Sequence, residues 1–391
     1  MDVLVLDREN YHAFLPLLYQ VATSGLSAQD ITYPARSILR RIPNARFRMA
    51  EIAGGHLGER YVETEAGERI PYDLLVLAAG STTEFFGNAS IERYAFCMHH
   101  LQEALELRNH TLAALERADA SAGEERQALL GFVVVGGGPT GVELAGMLAE
   151  MRRHVVPRDF PGLADGMRVI LLEGRDRLLA GMPASLSQRA LTQIRELGVE
   201  VRFNALVEQV SPQGVRLRGS DEIQARTVIW AAGVRGAPLG EKLGLIADRS
   251  GRITVEPTLE VDRHPGVFVI GDLARVRGFE ALPQVAPVAI QQGQCVAENL
   301  ERRIRGEPLL PFLYRDRGAM ATIGRNRAVA HVFGLEIAGR LAWWVWLFVH
   351  LIFLVGFRNR AAVFLNWAYH YLTYDLGLRA IVGPRRREDP R

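Results

Sequence analysis

Residues 132–145 read Phe132-Val-Val-Val-Gly136-Gly-Gly138-Pro-Thr-Gly141-Val-Glu143-Leu-Ala145, a β-branched strand that runs directly into a glycine turn and a helix. Gly136 allows the tight turn, Gly138 lets the backbone approach a pyrophosphate, and Gly141 lets the helix pack closely on the strand. The free N–H groups at the start of such a helix bind phosphate. The pattern predicts a dinucleotide cradle, and the alternative is an ordinary tight turn between a strand and a helix.

An acid follows the next strand of this unit. The strand 168–172 ends at Glu173, where a carboxylate accepts hydrogen bonds from an adenosine ribose. Its negative charge repels a 2′-phosphate, which favours NADH over NADPH, while Arg175 and Arg177 act in the opposite direction.

The chain begins with a hydrophobic strand that also ends in an acid, Met1-Asp-Val-Leu-Val-Leu-Asp7. In a doubly wound nucleotide-binding domain this pattern belongs to the second strand, which follows a strand, a glycine turn and a helix. We therefore expect a front segment to be missing, through a late start codon, a shortened chain or a lost first strand. The N-terminus lacks the basic and apolar pattern of a secretory signal.

Composition limits the class of protein. The chain has 391 residues, of which 48% are hydrophobic, and this length favours two or three globular domains. A net charge of +2, without basic runs interleaved with aromatic residues, argues against nucleic acid as a partner. Cys97 and Cys295 lie far apart in sequence and form neither a redox dithiol nor a zinc pattern, which favours a reducing, cytoplasm-facing compartment.

Strand-like and helical runs alternate, which predicts α/β layers with parallel sheets. The strands 72–80 and 227–233 both end in Ala-Ala-Gly, an internal repeat that suggests two nucleotide-binding halves, the second inserted into the first. A further strand, 266–272, ends in Gly271-Asp272. An acid there is placed to bind a ribose or ribityl hydroxyl, or it caps a strand-to-helix junction.

Together these elements resemble the two-dinucleotide flavoproteins and, within them, the type II NADH dehydrogenases, which are single-chain, non-pumping NADH:quinone oxidoreductases. The resemblance covers essentially the whole chain except the missing front. Five segments carry it in order: 7–23, 133–145, 228–234, 269–273 and 286–293.

The resemblance implies that an NADH-binding domain (106–244) is inserted into an FAD-binding domain (1–105 and 245–310), followed by a quinone- and membrane-associated region (311–391). The residues implied for FAD are Asp7, Gly80, Gly271 and Asp272. Those implied for NADH are Gly136, Gly138, Gly141, Glu173 and Gly233. Without the missing front, we expect FAD to be held weakly or not at all, because the glycine turn supplies the main N–H donors to its pyrophosphate.

The resemblance also implies a catalytic place for Glu143, near the nicotinamide and the flavin. The alternative is an acid in the first turn of the helix that is stabilised by the helix dipole. The flavin carries the chemistry, so no metal, nucleophile or dithiol is needed. The absence of a Cys-x4-Cys pair argues against the dithiol reductases and sulfide:quinone reductases of the same fold.

The quinone end of the site is predicted at Ala286, Pro287, Gln291 and Gln292. Members of the family often carry Ala-Gln-x-Ala-x-Gln here. In this chain Pro287 takes the place of the first glutamine of that motif, and Gln291 matches its second glutamine. The resemblance makes Gln291 a catalytic candidate besides Glu143. Gln284 either compensates for the lost amide or belongs to a polar loop.

The C-terminal part predicts contact with a membrane. The apolar run 341–357 contains His350 and, as a helix, would span about 26 Å, less than a hydrocarbon core of about 30 Å. The amphipathic stretch 361–374 follows, and Arg358, Arg360 and the run 385–387 suit an anionic lipid surface. The alternative is a homodimer interface or a buried helical hairpin. The family implies a monotopic enzyme on the cytoplasmic face of the cell membrane.

Two further functions remain open at this point. The first alternative is a truncated, non-catalytic, NAD-binding protein that associates with the membrane. The second is a soluble, FAD-dependent ferredoxin or flavin reductase of the same fold. The sequence leaves the quinone and the oligomeric state open.

Overall fold

The computed structural model describes residues 1–219, 222–279, 281–374 and 377–382. Strands and helices alternate between residues 85 and 202, whereas residues 45–83 and 200–236 each contain six consecutive strands. The strands are β1 (Val3–Asp7), β2 (Tyr11–Ala13), β3 (Thr32–Pro34), β4 (Ala45–Met49), β5 (Ile52–His56), β6 (Tyr61–Thr64), β7 (Arg69–Pro71), β8 (Leu75–Leu77), β9 (Ser81–Thr83), β10 (Phe96–Cys97), β11 (Gly131–Val135), β12 (Arg168–Leu172), β13 (Glu200–Arg202), β14 (Val207–Ser211), β15 (Gly214–Leu217), β16 (Glu222–Gln224), β17 (Thr227–Trp230), β18 (Val234–Gly236), β19 (Ile253–Val255), β20 (Val267–Val269), β21 (Ala274–Val276), β22 (Ala319–Gly324), β23 (Arg327–Val332) and β24 (Leu335–Ala338).

The α-helices range from one turn to five. They are α1 (Leu18–Ala22), α2 (Ala28–Ile31), α3 (Ala35–Leu39), α4 (Ala89–Tyr94), α5 (Leu101–Asp119), α6 (Gly123–Leu129), α7 (Pro139–His154), α8 (Val156–Asp159), α9 (Ala184–Glu196), α10 (Leu239–Lys242), α11 (Ala286–Arg305), α12 (Arg340–Phe353) and α13 (Phe357–Thr373).

The chain forms two compact units. The first contains Met1–His12, Pro34–Glu84 and Val234–Arg317, and the second contains Ala13–Tyr33, Phe85–Gly233 and Gly318–Arg391. The predicted α/β dinucleotide-binding fold is confirmed. The predicted domain limits stay a prediction. The two compact units have other limits, and the C-terminal segment belongs to the second unit.

In the second unit, five parallel strands lie in the order β10-β17-β11-β12-β13. The strands β11 and β17 are buried along their whole length, as expected where a parallel sheet is covered on both faces. Val135 pairs with both Leu172 and Trp230, so three strands end together at one edge. The glycine turn that leads into α7 lies at this carboxyl edge.

The first unit contains three parallel strand pairs, β1–β4, β8–β20 and β19–β21, and the antiparallel sheet β5-β6-β7. Its core packs around Phe268, Leu273 and Phe312, all buried. In the β8–β20 pair, Leu77 lies opposite Val269. The Ala-Ala-Gly and Gly-Asp endings therefore leave the sheet at the same edge.

An antiparallel sheet of three strands, β22-β23-β24, was not predicted from the sequence. Its turns use residues with positive φ, Asn326 (60°) in the first and Phe333 (51°) with Gly334 (77°) in the second. The edge strand β22 packs on α7 so closely that a side chain at Gly146 would collide with the backbone carbonyl of Ile323. A glycine is therefore required in the middle of α7.

Replacing Gly146 by alanine is expected to destabilise the protein by about 2 kcal/mol or more, because a backbone carbonyl cannot rotate away as a side chain can. Gly293→Ala is the matched control, since Gly293 also lies inside a helix but has no atom near its missing Cβ. That substitution should stabilise α11 by up to about 1 kcal/mol. Urea unfolding of both variants measures the difference, and equal stabilities would contradict the tight contact.

The apolar run 341–357 is not one helix, which corrects the prediction. α12 ends at Phe353, and α13 begins at Phe357. Between them Gly356 has a φ of 89°, and a side chain there would meet the ring of Tyr33. The helix of 14 residues spans about 21 Å, and none of the described helices combines the length and hydropathy needed to cross a bilayer.

Candidate functional site

The glycine turn has the geometry that a dinucleotide cradle requires. Gly136 has a φ of 114°, and its N–H donates to the Leu172 carbonyl at 2.8 Å. A side chain at Gly141 would collide with the Gly136 carbonyl, which explains the close packing of α7 on β11. Gly138, directly before α7, has open space where a side chain would lie. Gly233 follows β17 with a φ of 81°. The turn thus presents bare backbone at the N-terminus of a helix of 16 residues.

The carboxylate of Glu173 is oriented by two backbone groups. Its two oxygens accept hydrogen bonds from the N–H groups of Gly137, at 2.6 Å, and Arg175, at 2.8 Å. Gly137 has no room for a side chain, because its missing Cβ position lies 2.6 Å from the same carboxylate. Glu173 is therefore fixed beside the glycine turn, as the sequence predicts for a ribose-binding acid. Arg177 donates to the Ala180 carbonyl at 2.9 Å.

Glu143 lies in the second turn of α7, not in the first as predicted from the sequence, because the helix begins at Pro139. It is buried with 9% exposure, and its carboxylate accepts a hydrogen bond from the backbone N–H of Thr322 at 3.3 Å. Burial raises the pKa of Glu143 to about 8, against the opposing effects of the Thr322 N–H and the Trp346 side chain. The carboxyl is thus protonated at neutral pH.

Aromatic side chains surround this carboxyl. Tyr19 and Trp346 are both almost fully buried, and their rings meet edge to face at 6.4 Å. Burial, with a further contribution from Glu143, raises the pKa of Tyr19 well above its usual value. The Nε1 of Trp346 is buried and makes no hydrogen bond of good geometry. His350 stacks on Trp346 at 3.9 Å, and burial lowers its pKa to about 4, so it is neutral.

At the corresponding edge of the first unit, Ser81 donates a hydrogen bond to Asp272 at 2.7 Å. Gly80 has a φ of 69° and open space at its missing Cβ. Ala78 and Ala79, which follow the buried end of β8, are exposed. This edge is open and carries one carboxylate. Asp7 is exposed at the end of β1 and accepts a hydrogen bond from the Glu9 N–H at 2.9 Å.

The polar side chains predicted for quinone lie on or just before α11. Gln291 donates to the Pro287 and Arg315 carbonyls at 3.1 and 3.0 Å and accepts from the Arg315 N–H at 3.0 Å. Gln292 is 1% exposed and accepts from the Gly271 N–H at 2.6 Å, and Gln284 donates to the Asp272 carbonyl at 3.0 Å. All three amide side chains are therefore hydrogen-bonded to backbone groups of the protein. Ala286 and Pro287 lie in the first turn of α11.

The helix α13 faces the protein with several of its polar side chains. On α13, Asn359 donates to the Thr32 carbonyl at 2.7 Å, Asn366 donates to Asp30 at 3.1 Å, and the Trp367 indole donates to Gln20 at 2.8 Å. The outward positions are apolar and exposed: Leu341, Trp344, Phe348 and Ile352 on α12, and Phe357, Phe364, Leu365 and Leu372 on α13. Both helices therefore expose apolar side chains on their outer faces.

The structure brings together the predicted glycines and Glu173, and it brings Gly80 and Asp272 to one edge. It adds three residues around Glu143 that the sequence analysis missed, namely Tyr19, Thr322 and Trp346. Tyr19 lies in the segment 7–23 that carries the resemblance, and Trp346 lies in the aromatic run 341–357, but neither pattern connected them to Glu143. The predicted basic run 385–387 lies outside the described residues.

Comparison with known proteins agrees with this geometry. A model of the pyridine nucleotide-disulphide oxidoreductase family matches residues 1–293, and a model of the NDH2 C-terminal domain matches residues 317–373. The type II NADH:quinone oxidoreductase of Mycobacterium tuberculosis is 38% identical over 393 residues, covering 96% of this chain and 84% of the relative. The mitochondrial internal alternative NAD(P)H-ubiquinone oxidoreductase A1 of Arabidopsis thaliana is 30% identical, covering 94% and 78%.

A solved structure has the same fold. The structure of NDH2 from Plasmodium falciparum in complex with NADH matches with a TM-score of 0.89 at 19% identity, covering 98% of this chain and 95% of that one. At this identity the match concerns the fold alone.

Proposed function

Because the chain belongs to the pyridine nucleotide-disulphide oxidoreductases and, within them, to the type II NADH:quinone oxidoreductases, we propose that it oxidises NADH and reduces a quinone. When bound, FAD would supply the redox chemistry, by taking up a hydride from NADH and passing two electrons, with protons, to the quinone. The resemblance found in the sequence is confirmed. The glycine turn with Glu173 is the observation that carries the assignment of the coenzyme.

The residues of this chain bind and orient the coenzyme. The N–H groups at the start of α7 would bind the pyrophosphate, which Gly138 allows to approach, and Glu173 would accept hydrogen bonds from the adenosine ribose. Gly233 leaves the backbone accessible at the end of β17. Glu143 holds a proton at neutral pH in a buried, aromatic setting. It is our candidate for a catalytic residue near the nicotinamide.

The edge of the first unit has features that fit FAD. The open space at Gly80 and the exposed alanines before it allow a flat or extended ligand to approach the backbone. Asp272, oriented by Ser81, is placed to accept from ribityl hydroxyls, and Gln292 fixes the Gly271 N–H next to it. Asp7 would accept from the adenosine ribose.

For the quinone we retain the region around Ala286, Pro287, Gln291 and Gln292 as a proposal. The amides of Gln291 and Gln292 already hold backbone groups, so they would position α11 and its neighbours more than contact the head group.

The activity is tested with the full chain supplied with FAD. With FAD added in excess, we expect flavin bound to the chain, seen in its visible absorption, and NADH oxidation at 340 nm that depends on an added quinone. NADH binding without flavin uptake or turnover would instead identify a non-catalytic NAD-binding protein. Activity with ferredoxin but with no quinone would identify a reductase of the same fold.

NADH is expected to be preferred over NADPH, because Glu173 places a negative charge where a 2′-phosphate would lie. Glu173→Gln keeps one of the two acceptor oxygens but removes the charge. It should narrow the ratio of kcat/KM for the two coenzymes by about tenfold, which corresponds to about 1.4 kcal/mol. Asp176→Asn, three residues further on, is the control and should leave the ratio unchanged. Equal kcat/KM values for NADH and NADPH in the parent protein would refute this role of Glu173.

We further propose that the exposed apolar face of α12 and α13 lies on an anionic membrane surface. The polar side of α13 is already used inside the protein, so an apolar environment must cover the outward residues. Arg358, exposed at the start of α13, suits the phosphate groups of such a surface, while Arg360 donates to the Leu354 carbonyl at 2.7 Å. A lipid-soluble quinone would reach the enzyme from this side. The cytoplasmic face of the cell membrane is the proposed location, and a homodimer through the same face is the competing arrangement.

A further inference from the structure

Arginine is concentrated in one short part of the first unit, residues 36–48, which we call the basic segment. It contains five of the 46 basic residues of the chain, and no acidic residue lies anywhere between residues 31 and 50. Without these five arginines the formal net charge of the chain, +2, would be negative. The segment comprises most of α3, the turns that follow it and the start of β4. Such a cluster of like charges favours an anionic partner.

Two of the five arginines are engaged within the protein. The guanidinium of Arg36 lies 5.3 Å from the ring centre of Phe47 and donates to the Phe47 carbonyl at 3.0 Å, which fixes α3 on β4. Arg48 forms an ion pair with Glu68. The other three are exposed and, within the described part of the chain, their side chains form neither an ion pair nor a hydrogen bond: Arg40, Arg41 and Arg46. Their charge is therefore available to a partner.

Apolar side chains are exposed beside these arginines. Ile38 and Ile42 are 39% and 45% exposed, and all five residues 40–44 are exposed. The head-group region of a bilayer accepts both kinds of side chain, because apolar groups enter the acyl boundary while arginines reach the phosphates. Nucleic-acid sites instead combine basic with aromatic side chains. The one aromatic residue in the sequence of the segment, Phe47, is buried.

The turns of the basic segment lie at the end of β4 that faces away from the nucleotide edge. The Val3 N–H donates to the Asn44 carbonyl at 2.8 Å, which places residues 40–44 at the amino ends of β1 and β4. A nucleotide binds at the carboxyl ends of parallel strands, which here are Asp7 and Met49. The length of β4 separates the two ends by about 13 Å. The free arginines are therefore placed to bind a partner other than the phosphates of FAD.

We propose that the basic segment is a second membrane-binding surface, which binds the anionic head groups of a bilayer through Arg40, Arg41 and Arg46. Ile38 and Ile42 would enter the boundary between the head groups and the acyl chains. The proposal rests on the membrane location proposed above and names the residues through which that contact depends on charge. The segment belongs to the first unit, whereas α12 and α13 belong to the second. Because salt screens ionic attraction, the two surfaces should differ in their dependence on salt and on lipid charge.

The test is sedimentation of the full chain with vesicles of phosphatidylcholine alone and with vesicles that also contain phosphatidylglycerol, at low and at high salt. Replacing Arg40, Arg41 and Arg46 by glutamine should weaken binding to the anionic vesicles by about tenfold or more at low salt and should reduce its salt dependence. Replacing the same three residues by lysine should keep the binding within about twofold of the parent, because the attraction depends on charge and not on the shape of the guanidinium.

The matched control removes the same net charge from arginines that have acidic partners. Three exposed arginines of the first unit pair with Glu63, Glu256 and Glu301, namely Arg69, Arg277 and Arg305. Replacing these three by glutamine should leave vesicle binding near that of the parent. The substituted side chains of both sets are exposed, so thermal unfolding of every variant should match the parent.

The outcomes separate this proposal from the membrane location on which it rests. If the glutamine variant of the basic segment binds anionic vesicles as tightly as the parent, the proposal is overturned while α12 and α13 remain the membrane surface. If the parent itself binds no vesicles, both proposals fail. The proposal is also overturned if the glutamine variant loses binding to a DNA duplex of random sequence but keeps its binding to vesicles, because the segment is then a nucleic-acid surface.

Discussion

Replacing Glu143 by glutamine is expected to remove most of a pH-dependent loss of stability between about pH 5 and pH 8. The carboxyl is buried and accepts one backbone hydrogen bond, from Thr322, which glutamine can also accept. Burial raises its pKa from 4.5 to about 8. The variant therefore keeps the packing and the hydrogen bond but has no charge to bury.

The sign follows from where the proton is held. Below about pH 4.5 the carboxyl is protonated in both the folded and the unfolded chain. Between there and about pH 8 the unfolded chain releases the proton while the folded protein keeps it. The free energy of unfolding therefore falls by about 1.4 kcal/mol per pH unit. Above that range the loss is complete, on the order of 3–5 kcal/mol in total.

Urea unfolding of the parent and of Glu143→Gln from pH 5 to pH 9 measures this difference. The two proteins should have similar stabilities at pH 5, and the variant should be more stable at pH 9. Glu116→Gln, an exposed position on α5, is the matched control and should follow the parent at every pH. Parallel curves for the parent and Glu143→Gln would mean that the carboxyl is solvated or paired in solution.

The sequence predicted the glycine turn well because its requirements are local. Gly136 is needed because its φ is positive, and Gly141 is needed because it lies against the carbonyl of Gly136, five residues earlier. Both requirements follow from steric rules for residues that are close in sequence. Glu173 was found for the same reason, since an acid after the second strand of a parallel sheet reaches the turn by topology. The parallel direction of the strands follows from the alternation of strands and helices in this part of the chain, whereas their order in the sheet was not predicted.

The surroundings of Glu143 were not predictable in this way. Its partners Thr322 and Trp346 lie about 180 and 200 residues further along the chain, and no local pattern connects them to α7. The sheet β22–β24 was missed because its short strands rely on turns at Asn326 and Phe333, where residues other than glycine take a positive φ. The break between α12 and α13 includes Gly356, where a side chain would collide with the ring of Tyr33. Tyr33 is also distant in sequence.

The exposed apolar faces of α12 and α13 lead to the second large effect. Substituting Trp344, Phe348 and Phe364 together by glutamine should weaken sedimentation with anionic vesicles by tenfold or more, since burying one such side chain contributes about 1.5–3 kcal/mol. The folded protein should keep its stability, because these side chains are exposed. Deleting the helices would be a poorer test, as it would also remove Trp346, which is 1% exposed beside Glu143.

The same triple variant should separate two activities. Reduction of a long-tailed quinone in vesicles should fall with membrane binding, whereas NADH oxidation by the soluble acceptor ferricyanide should stay near the parent rate, because the coenzyme residues are untouched. The matched control replaces three exposed apolar residues of the first unit, Ile246, Ile304 and Leu313, by glutamine and should change neither activity. Vesicle binding by the parent should weaken as salt screens the arginines. Two outcomes would contradict the membrane proposal: the triple variant still binds vesicles, or its only change is from a dimer to a monomer in light scattering. In either case the apolar face is a contact between two copies of the chain and not a membrane surface.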